Sequence, residues 1–398
     1  MKFLRKNIFK LSVVVVLIYL VLISVSVLHI GKKIRFNYEL ESFFPQGDPS
    51  LEYYLNHIHR FESDHDVVLM AFTSPNGLFN KEFLTGLEDF RKELDTNTYI
   101  NQVISPLQMG RLKKGPLAPV KLPFFHFRDE SKYEADSLRL SNTNHFIKNF
   151  LSLSSASCCL IAKVKPGIGI KTSARLVEEI NRIAKKHVPG QLRMAGRVRA
   201  QTYIIHKMQY EFVLLTAITA LMLVVFLFYS FRSFFGVLLP VMVVMTGMVL
   251  TLSLILFCTG SLNLLSVMLP TVIFVVGVSD SIHVLNAYYG YMEQGFTSRE
   301  AVFETISEIG AAVFLTAITS AIGFFTLFTI QIQPVAEFGI YAGAGILITF
   351  LVSFTLLIAA LILLKPGKSK RPSYLAEANW ILRLFDFVNA KKKWVLAG

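Results

Sequence analysis

The sequence predicts a polytopic α-helical membrane protein that carries one α+β domain outside the membrane. Two observations favour this fold class. Hydrophobic residues make up 53% of the 398-residue chain, and most of them lie in runs of about twenty, the length that crosses about 30 Å of hydrocarbon as a helix. Between the first run and the second, residues 31–208 form a polar stretch that is long enough to bury its own core. One anchor helix, one exported domain and one helical bundle therefore follow each other.

The first apolar run, residues 11–30, follows a segment with four basic residues. A cleavable signal peptide has a shorter apolar region and a small-residue cleavage site, and no such site follows this run. The run is therefore predicted to be a retained transmembrane helix, with residues 1–30 as cytoplasmic N-terminus and first span. The positive-inside tendency places the N-terminus in the cytoplasm and residues 31–208 on the extracytoplasmic side of the inner membrane.

Five further spans are predicted, and together they form a bundle over residues 209–364. Basic residues test their orientation: Arg232, Arg299 and Lys365 all fall on the cytoplasmic side if six spans have both ends inside. The turns near Gly260 and Gln331, on the opposite side, carry no lysine or arginine. The predicted ranges are 212–230, 236–258, 264–287, 311–330 and 338–363.

The exported domain shows two β-α-β patterns in succession. They predict a pair of split ferredoxin-like layers, whereas residues 106–157 fit no clear element. No helix breaker follows Gly196 as far as Glu211, so one helix is expected to run from this domain into the second span. The predicted elements, in order, are strand 67–73, helix 78–94, strand 99–104, strand 158–164, helix 174–183 and strand 191–194.

Residues 365–398 begin as a basic cytoplasmic linker and continue with an amphipathic pattern at 374–388, which is typical of a helix in the membrane interface. The last eight residues repeat the basic cluster and apolar start of the first span. They predict the truncated beginning of a seventh span, and hence a longer protein.

Several function classes lack support in the sequence. The net charge of +13 is scattered instead of forming one basic stripe, which disfavours nucleic-acid binding. The three cysteines are too few for a disulfide framework and are interpreted as small apolar fillers. No nucleotide-binding Walker string, Gly-x-Ser-x-Gly or His-Glu-x-x-His occurs, so no enzyme activity and no cofactor are predicted. A cluster in the exported domain fits no compact metal-ligand spacing, and no metal is predicted there; it comprises His57, His59, Asp64, His65 and Asp66.

One predicted span holds a carboxylate, an imidazole and neighbouring hydroxyls. Asp280 and His283 are three residues apart, and Ser279 and Ser281 flank Asp280. An ionisable group inside a span costs on the order of 3 kcal/mol to insert, so it needs a partner or a function. The functional interpretation is a proton relay. The alternative is a pair near the cytoplasmic end that reaches water or joins helices.

The string Gly277-Val-Ser-Asp-Ser-Ile-His283, in a chain with one span, a large exported domain and five spans, resembles half of a protein of the resistance-nodulation-division (RND) superfamily. The likeness is strongest to its MMPL-like and Patched-like branches, which share a sterol-sensing type of bundle. The segment 311–325 with Thr316 and Thr319, the string Pro334-Val-Ala-Glu337-Phe-Gly339, and residues 41–49 carry the same resemblance.

The resemblance implies a secondary transporter that exports a lipid or other hydrophobic substrate, driven by protons, with a second similar half after residue 398. Membrane lipids, protons and a homo-oligomer are the implied partners. Proton-driven members usually carry an Asp-Asp or Asp-Tyr pair in this span. Asp280 aligns with the second position of that pair and Ser279 with the first, so the usual pair is incomplete here. Two rival functions are a lipid-sensing receptor and an accessory subunit of protein export.

Weaker features concern helix packing and gating. Gly339 and Gly343 form a small-xxx-small pattern that favours close packing of the sixth span against a neighbour. Glu337 stands at the outer start of that span, either as part of a gate or as a solvated acid.

Overall fold

The computed structural model describes residues 2–38, 40–61, 66–113, 120–124, 126–141, 149–154, 156–166 and 168–366. The chain divides into two compact units. Residues 47–207 form one of them, called here the exported unit after the location that the sequence predicts for it, and the segments before 47 and after 207 form the bundle. The predicted amphipathic helix at 374–388 and the predicted seventh span lie outside the described residues.

The exported unit contains the two predicted β-α-β patterns. The first strand has the predicted bounds. Most ends of the other predicted strands and helices lie a few residues from their predicted positions. A two-strand hairpin and a short helix occupy part of the segment that had no assignment. The elements are α2 (Pro49–Phe61), β1 (Val67–Thr73), α3 (Lys81–Asp95), β2 (Ile100–Ile104), β3 (Gly110–Lys113), β4 (Val120–Pro123), α4 (Tyr133–Ser141), β5 (Leu151–Ser152), β6 (Ser157–Val164), α5 (Ile170–His187) and β7 (Gln191–Ala195).

The two patterns share a single sheet. Its strand order is β2-β6-β1-β7, every neighbouring pair is antiparallel, and β5 adds to β6. The predicted ferredoxin-like β-α-β units are thus confirmed, but they interleave instead of forming a pair of layers. A two-stranded piece is only marginally stable, and sharing a sheet gives β1 and β6 a partner on both sides.

The core of this unit lies between the sheet and its helices. Alternate residues of β1, from Val68 through Met70 to Phe72, are buried, and so are the apolar stripes of α3 and α5. Phe90 of α3 meets Phe72 edge-on at 4.9 Å between ring centroids. Cys158 of β6 is also buried, and this burial raises the pKa of its thiol, which fits an inert filler.

Glu93 joins the end of α3 to the end of α5. Its Oε2 accepts a hydrogen bond from Lys186 Nζ at 2.7 Å and lies 2.6 Å from His187 Nε2. These hydrogen bonds, from Lys186 first and His187 second, lower the pKa of Glu93 below its ordinary value of 4.5. A carboxylate with a lowered folded-state pKa stabilises the fold above its unfolded-state pKa, and this contribution is lost as the pH falls through the folded-state value.

We therefore expect the unfolding temperature of the exported unit to fall as the pH drops below about 4.5, and Glu93→Gln to reduce this dependence. Calorimetry of the purified protein between about pH 6 and about pH 3 measures it. Glu178→Gln, at an exposed position of α5, is the matched control and should keep the wild-type pH profile. Equal profiles for the two variants would show that the Glu93 contacts do not stabilise the fold.

The bundle holds six stretches that are long and apolar enough to cross a membrane, counted over the described residues. A π-helical turn, Ser353–Leu357, interrupts the last of them, and 3-10 turns at Leu264–Met268 and Thr326–Thr329 flank two others. The helix predicted to leave the exported unit after Gly196 continues without a break to Phe231. The helices are α1 (Lys2–Lys33), α6 (Arg197–Phe231), α7 (Phe234–Cys258), α8 (Leu269–Glu293), α9 (Ser298–Phe325), α10 (Gln333–Val352) and α11 (Ile358–Leu364).

Candidate functional site

One face of helix α8 is buried in the bundle, where α7, α9 and α10 pack against the helix. Its start is fixed by a capping box in the preceding 3-10 turn. Asn263 Oδ1 accepts from the Ser266 backbone N–H at 3.0 Å, and the Asn263 N–H donates to Ser266 Oγ at 3.2 Å. Pro270 in the first turn has no N–H to leave unsatisfied. The local sequence therefore fixes where α8 begins.

Asp280 lies on the buried face of α8, with 4% of its surface exposed. Its Oδ2 atom is buried and has no hydrogen-bond partner among the described residues. Ionised carboxylates in such surroundings are costly unless they are paired, so Asp280 is the candidate for the predicted proton relay. No other carboxylate of the described residues has a buried oxygen without a partner.

Three buried hydroxyls of α7, α8 and α10 are satisfied by their own helices. Ser281 Oγ donates to the Gly277 carbonyl at 2.8 Å, Thr251 Oγ1 to Gly247 at 2.7 Å, and Thr349 Oγ1 to Gly345 at 2.7 Å. Such bonds back to the preceding turn keep polar atoms inside a bundle without linking the helices. Hence the polar interior offers Asp280 no fixed donor in these contacts.

Two of the three other predicted relay residues do not share the burial of Asp280. Ser281 is fully buried, whereas Ser279 and His283 are exposed on the described bundle. At 3.6 residues per turn, positions three apart differ by roughly 60° around the helix, which is enough to separate an inward carboxylate from an outward imidazole. Thr316 and Thr319 of α9 are also exposed, and each hydroxyl donates to a carbonyl of its own helix.

Glycines let the helices of the bundle approach each other closely. A Cβ at Gly277 would lie 2.5 Å from Thr349 Cγ2, and one at Gly343 would lie 2.6 Å from Phe325 Cε1. At Gly339 it would lie 2.5 Å from the Phe324 carbonyl oxygen. Gly277 therefore belongs to the contact of α8 with α10, while Gly339 and Gly343 belong to that of α10 with α9.

Glu337 makes fixed contacts at the start of α10. Its Oε2 accepts from Asn263 Nδ2 and its Oε1 from Gln333 Nε2, both at 2.8 Å. These residues line a polar cavity of about 170 Å³ with Asn37 and Thr259. The carboxylate thus connects the turn before α8 to α10. Glu337 therefore makes specific contacts with the protein instead of being only a solvated acid.

No group of three or more histidine, cysteine, aspartate or glutamate side chains with metal-site geometry occurs in the described parts of the chain. Of the cluster in the exported unit, Asp64, His65 and the side chain of His59 lie outside what is described.

Sequence reasoning missed two residues that shape the site. Thr349 contacts the positions of Gly247 and Gly277 from α10, and Asn263 caps the turn before α8 and binds Glu337. The glycines of α8 and α10 indicate in the sequence that helices cross closely. Which side chain fills the crossing, here Thr349, follows only from the three-dimensional packing.

Comparison with known proteins gives one family match and several relatives. A family model described as the MMPL family matches residues 54–391. The hopanoid transporter HpnN of Burkholderia multivorans is 29% identical over 187 residues, which cover 46% of this chain and 20% of that protein. The multidrug resistance protein MdtC of Pectobacterium atrosepticum is 28% identical over 188 residues, 46% of this chain and 18% of that protein. The matched segments thus span about a fifth of these relatives.

Proposed function

Because the chain belongs to the MMPL family, matched over residues 54–391, we propose that the full-length protein is a proton-driven secondary transporter that exports a lipid or other hydrophobic substrate. Relatives named as a hopanoid transporter and as multidrug resistance proteins support this substrate class. The six candidate spans support a multi-pass membrane protein. We further propose that it resides in the inner membrane, with its N-terminus in the cytoplasm and residues 31–208 outside.

The observation that carries the proposal is the buried, unpartnered oxygen of Asp280 inside α8. Proton uptake removes the charge of this carboxylate, and proton release restores it. Each change alters the interaction free energy between α8 and the helices packed against it. If this change differs between two conformations, proton binding shifts the equilibrium between them. A proton that crosses the membrane potential supplies about 2.3 kcal/mol per 100 mV for such a shift. The continuous helix α6 carries the change toward the exported unit in this mechanism.

The exposed polar residues of the bundle support a second half. Ser279, His283, Thr316 and Thr319 face outward from the described bundle at positions within candidate spans. Polar groups at membrane depth usually face protein or water instead of lipid. In the proposal a second, similar set of helices covers this face, and His283 and Ser279 then reach the proton path from that interface.

Transport between vesicles tests the proposal. The full-length protein is reconstituted into vesicles made from the lipid extract of its own membranes, acceptor vesicles are added, and lipids that reach them are identified by mass spectrometry. We expect one lipid class to transfer when a proton gradient is imposed and not in its absence. Transfer that ignores the gradient would refute proton coupling, and no transfer of any lipid would refute export and favour a lipid-sensing receptor.

A further inference from the structure

A groove lies at one end of the bundle, between the first turns of α1, the first turns of α9 and the segment from the π-helical turn to α11. Its volume is about 480 Å³. Apolar side chains form most of the wall, among them Leu11, Val15, Phe354 and Ile358. The groove is separate from Glu337 and its polar cavity, whose lining residues are all different.

The π-helical turn shapes the groove. Thr355, in this turn, bonds to Tyr19 of α1, with 2.8 Å between the two hydroxyl oxygens. This contact fixes α1 against the turn, and Ser12 on the same stretch of α1 donates to the Ile8 carbonyl at 2.8 Å. Single π-helical turns inside α-helices occur frequently at functional sites. Two hydroxyls of the wall are therefore already hydrogen-bonded within the protein.

Glu304 is the only acidic residue of the groove wall, and its side chain forms no ion pair or hydrogen bond with another described residue. Its neighbours on α9 do have partners: Glu308 accepts from Tyr291 Oη at 2.9 Å, and Glu300 accepts from the Thr297 hydroxyl at 2.8 Å. Glu304 lies six residues after the start of α9, or about 9 Å along the axis at 1.5 Å per residue. The apolar run of this span begins at 311, so Glu304 lies about 10 Å before it along the axis, which is where lipid headgroups are expected.

The size of the groove indicates what fills it. A helix with side chains is about 10 Å across and rises about 5.4 Å per turn, so roughly one turn would use up the volume. A docked helix therefore fits poorly, whereas small-ligand sites typically measure about 300 to 1,000 Å³. Apolar walls are better filled by hydrocarbon than by water.

We propose that this groove is a binding site for an aminophospholipid, with one acyl chain along the apolar wall and the headgroup ammonium on the Glu304 carboxylate. A charge-assisted hydrogen bond from an ammonium to a carboxylate is stronger than a neutral one, and a glycerol headgroup has no ammonium that could form it. The inference goes beyond the proposed function, because it concerns equilibrium binding and requires neither transport nor a proton gradient.

Quenching by brominated lipids tests the site directly. In the full-length protein all tryptophans are replaced by phenylalanine, and Phe354→Trp then places one reporter in the groove wall. The protein is reconstituted into bilayers with rising fractions of brominated phosphatidylethanolamine or brominated phosphatidylglycerol with the same chains. We expect half-maximal quenching at about a tenfold lower fraction of phosphatidylethanolamine, which corresponds to about 1.4 kcal/mol.

Three variants separate the headgroup contact from the groove. Glu304→Gln should remove the preference without reducing quenching by phosphatidylglycerol. Ser307→Phe, at an exposed position of the groove wall, should reduce quenching by both lipids. Glu308→Gln, on the same helix but outside the wall, should keep the preference. Equal quenching by the two lipids in the unchanged groove, a preference that persists in Glu304→Gln, or no quenching by either lipid would overturn the proposal.

Discussion

Asp280→Asn is expected to reduce proton-driven transport by at least about 100-fold, the lower end of what a positioned proton-transfer group contributes. The amide has nearly the same shape as the carboxylate but cannot take up and release a proton near neutral pH. Asp280 packs with 4% exposure and an unpartnered oxygen, so the substitution should leave the surrounding packing intact. Gradient-driven lipid transfer between vesicles measures the effect.

The thermal stability of Asp280→Asn should equal or exceed that of the wild type. Replacing an unpartnered ionisable group in a span by a neutral one removes a cost on the order of 3 kcal/mol for the charged form. Glu308→Gln is the matched control: its carboxylate lies on the exposed surface with Tyr291, and its transport rate should stay close to wild type. Wild-type transport by Asp280→Asn would eliminate this residue as the proton site. Lipid binding in the groove should persist in this variant, which keeps the two proposals independent.

The fold of the exported unit was accessible from the sequence because local patterns specify it. The run Val67–Thr73 alternates buried and partly exposed positions, and the stripe of α3 has clear helical spacing. The hairpin of β3 and β4 was not predicted. Its strands have four residues each and contain lysine or arginine, so they show neither a clear alternation of apolar and polar residues nor an apolar run. The order of the strands was not predicted either, because pairing between strands distant in sequence depends on the whole sheet.

In the bundle, hydropathy located the spans but not the helix ends. Helix α9 begins at Ser298, well before the apolar run at 311, because its first turns are charged yet helical and capped by Thr297. The carboxylate at 280 was predicted as a site from the cost of placing it in a span, from its polar neighbours and from the resemblance of its string to the RND superfamily. That His283 would face outward depends on the rotation of α8, and this rotation is set by packing against α7 and α10.

Gly277→Ala is expected to lower both the unfolding temperature and the transport rate, because the new methyl group would lie 2.5 Å from Thr349 Cγ2 and 3.1 Å from Val244 Cγ2. Overpacking of this kind costs about 1 to 3 kcal/mol. One turn later α8 carries Asp280, so a shift of the helix also moves the proton site. Gly290→Ala is the matched control on the same helix: its methyl group would meet nothing within 4 Å, and alanine favours a helix by about 0.5 to 1 kcal/mol over glycine.

A second substitution identifies the contact. Thr349→Ser removes the Cγ2 atom but retains the hydroxyl that donates to the Gly345 carbonyl. Gly277→Ala combined with Thr349→Ser should therefore recover stability and transport that Gly277→Ala alone loses, with a coupling of about 0.5 to 3 kcal/mol in a double-mutant cycle. Thermal unfolding of the four proteins in detergent gives this coupling. If Gly277→Ala behaves like Gly290→Ala, or if the double variant is no better than the single one, the contact between α8 and α10 does not hold Asp280 in place.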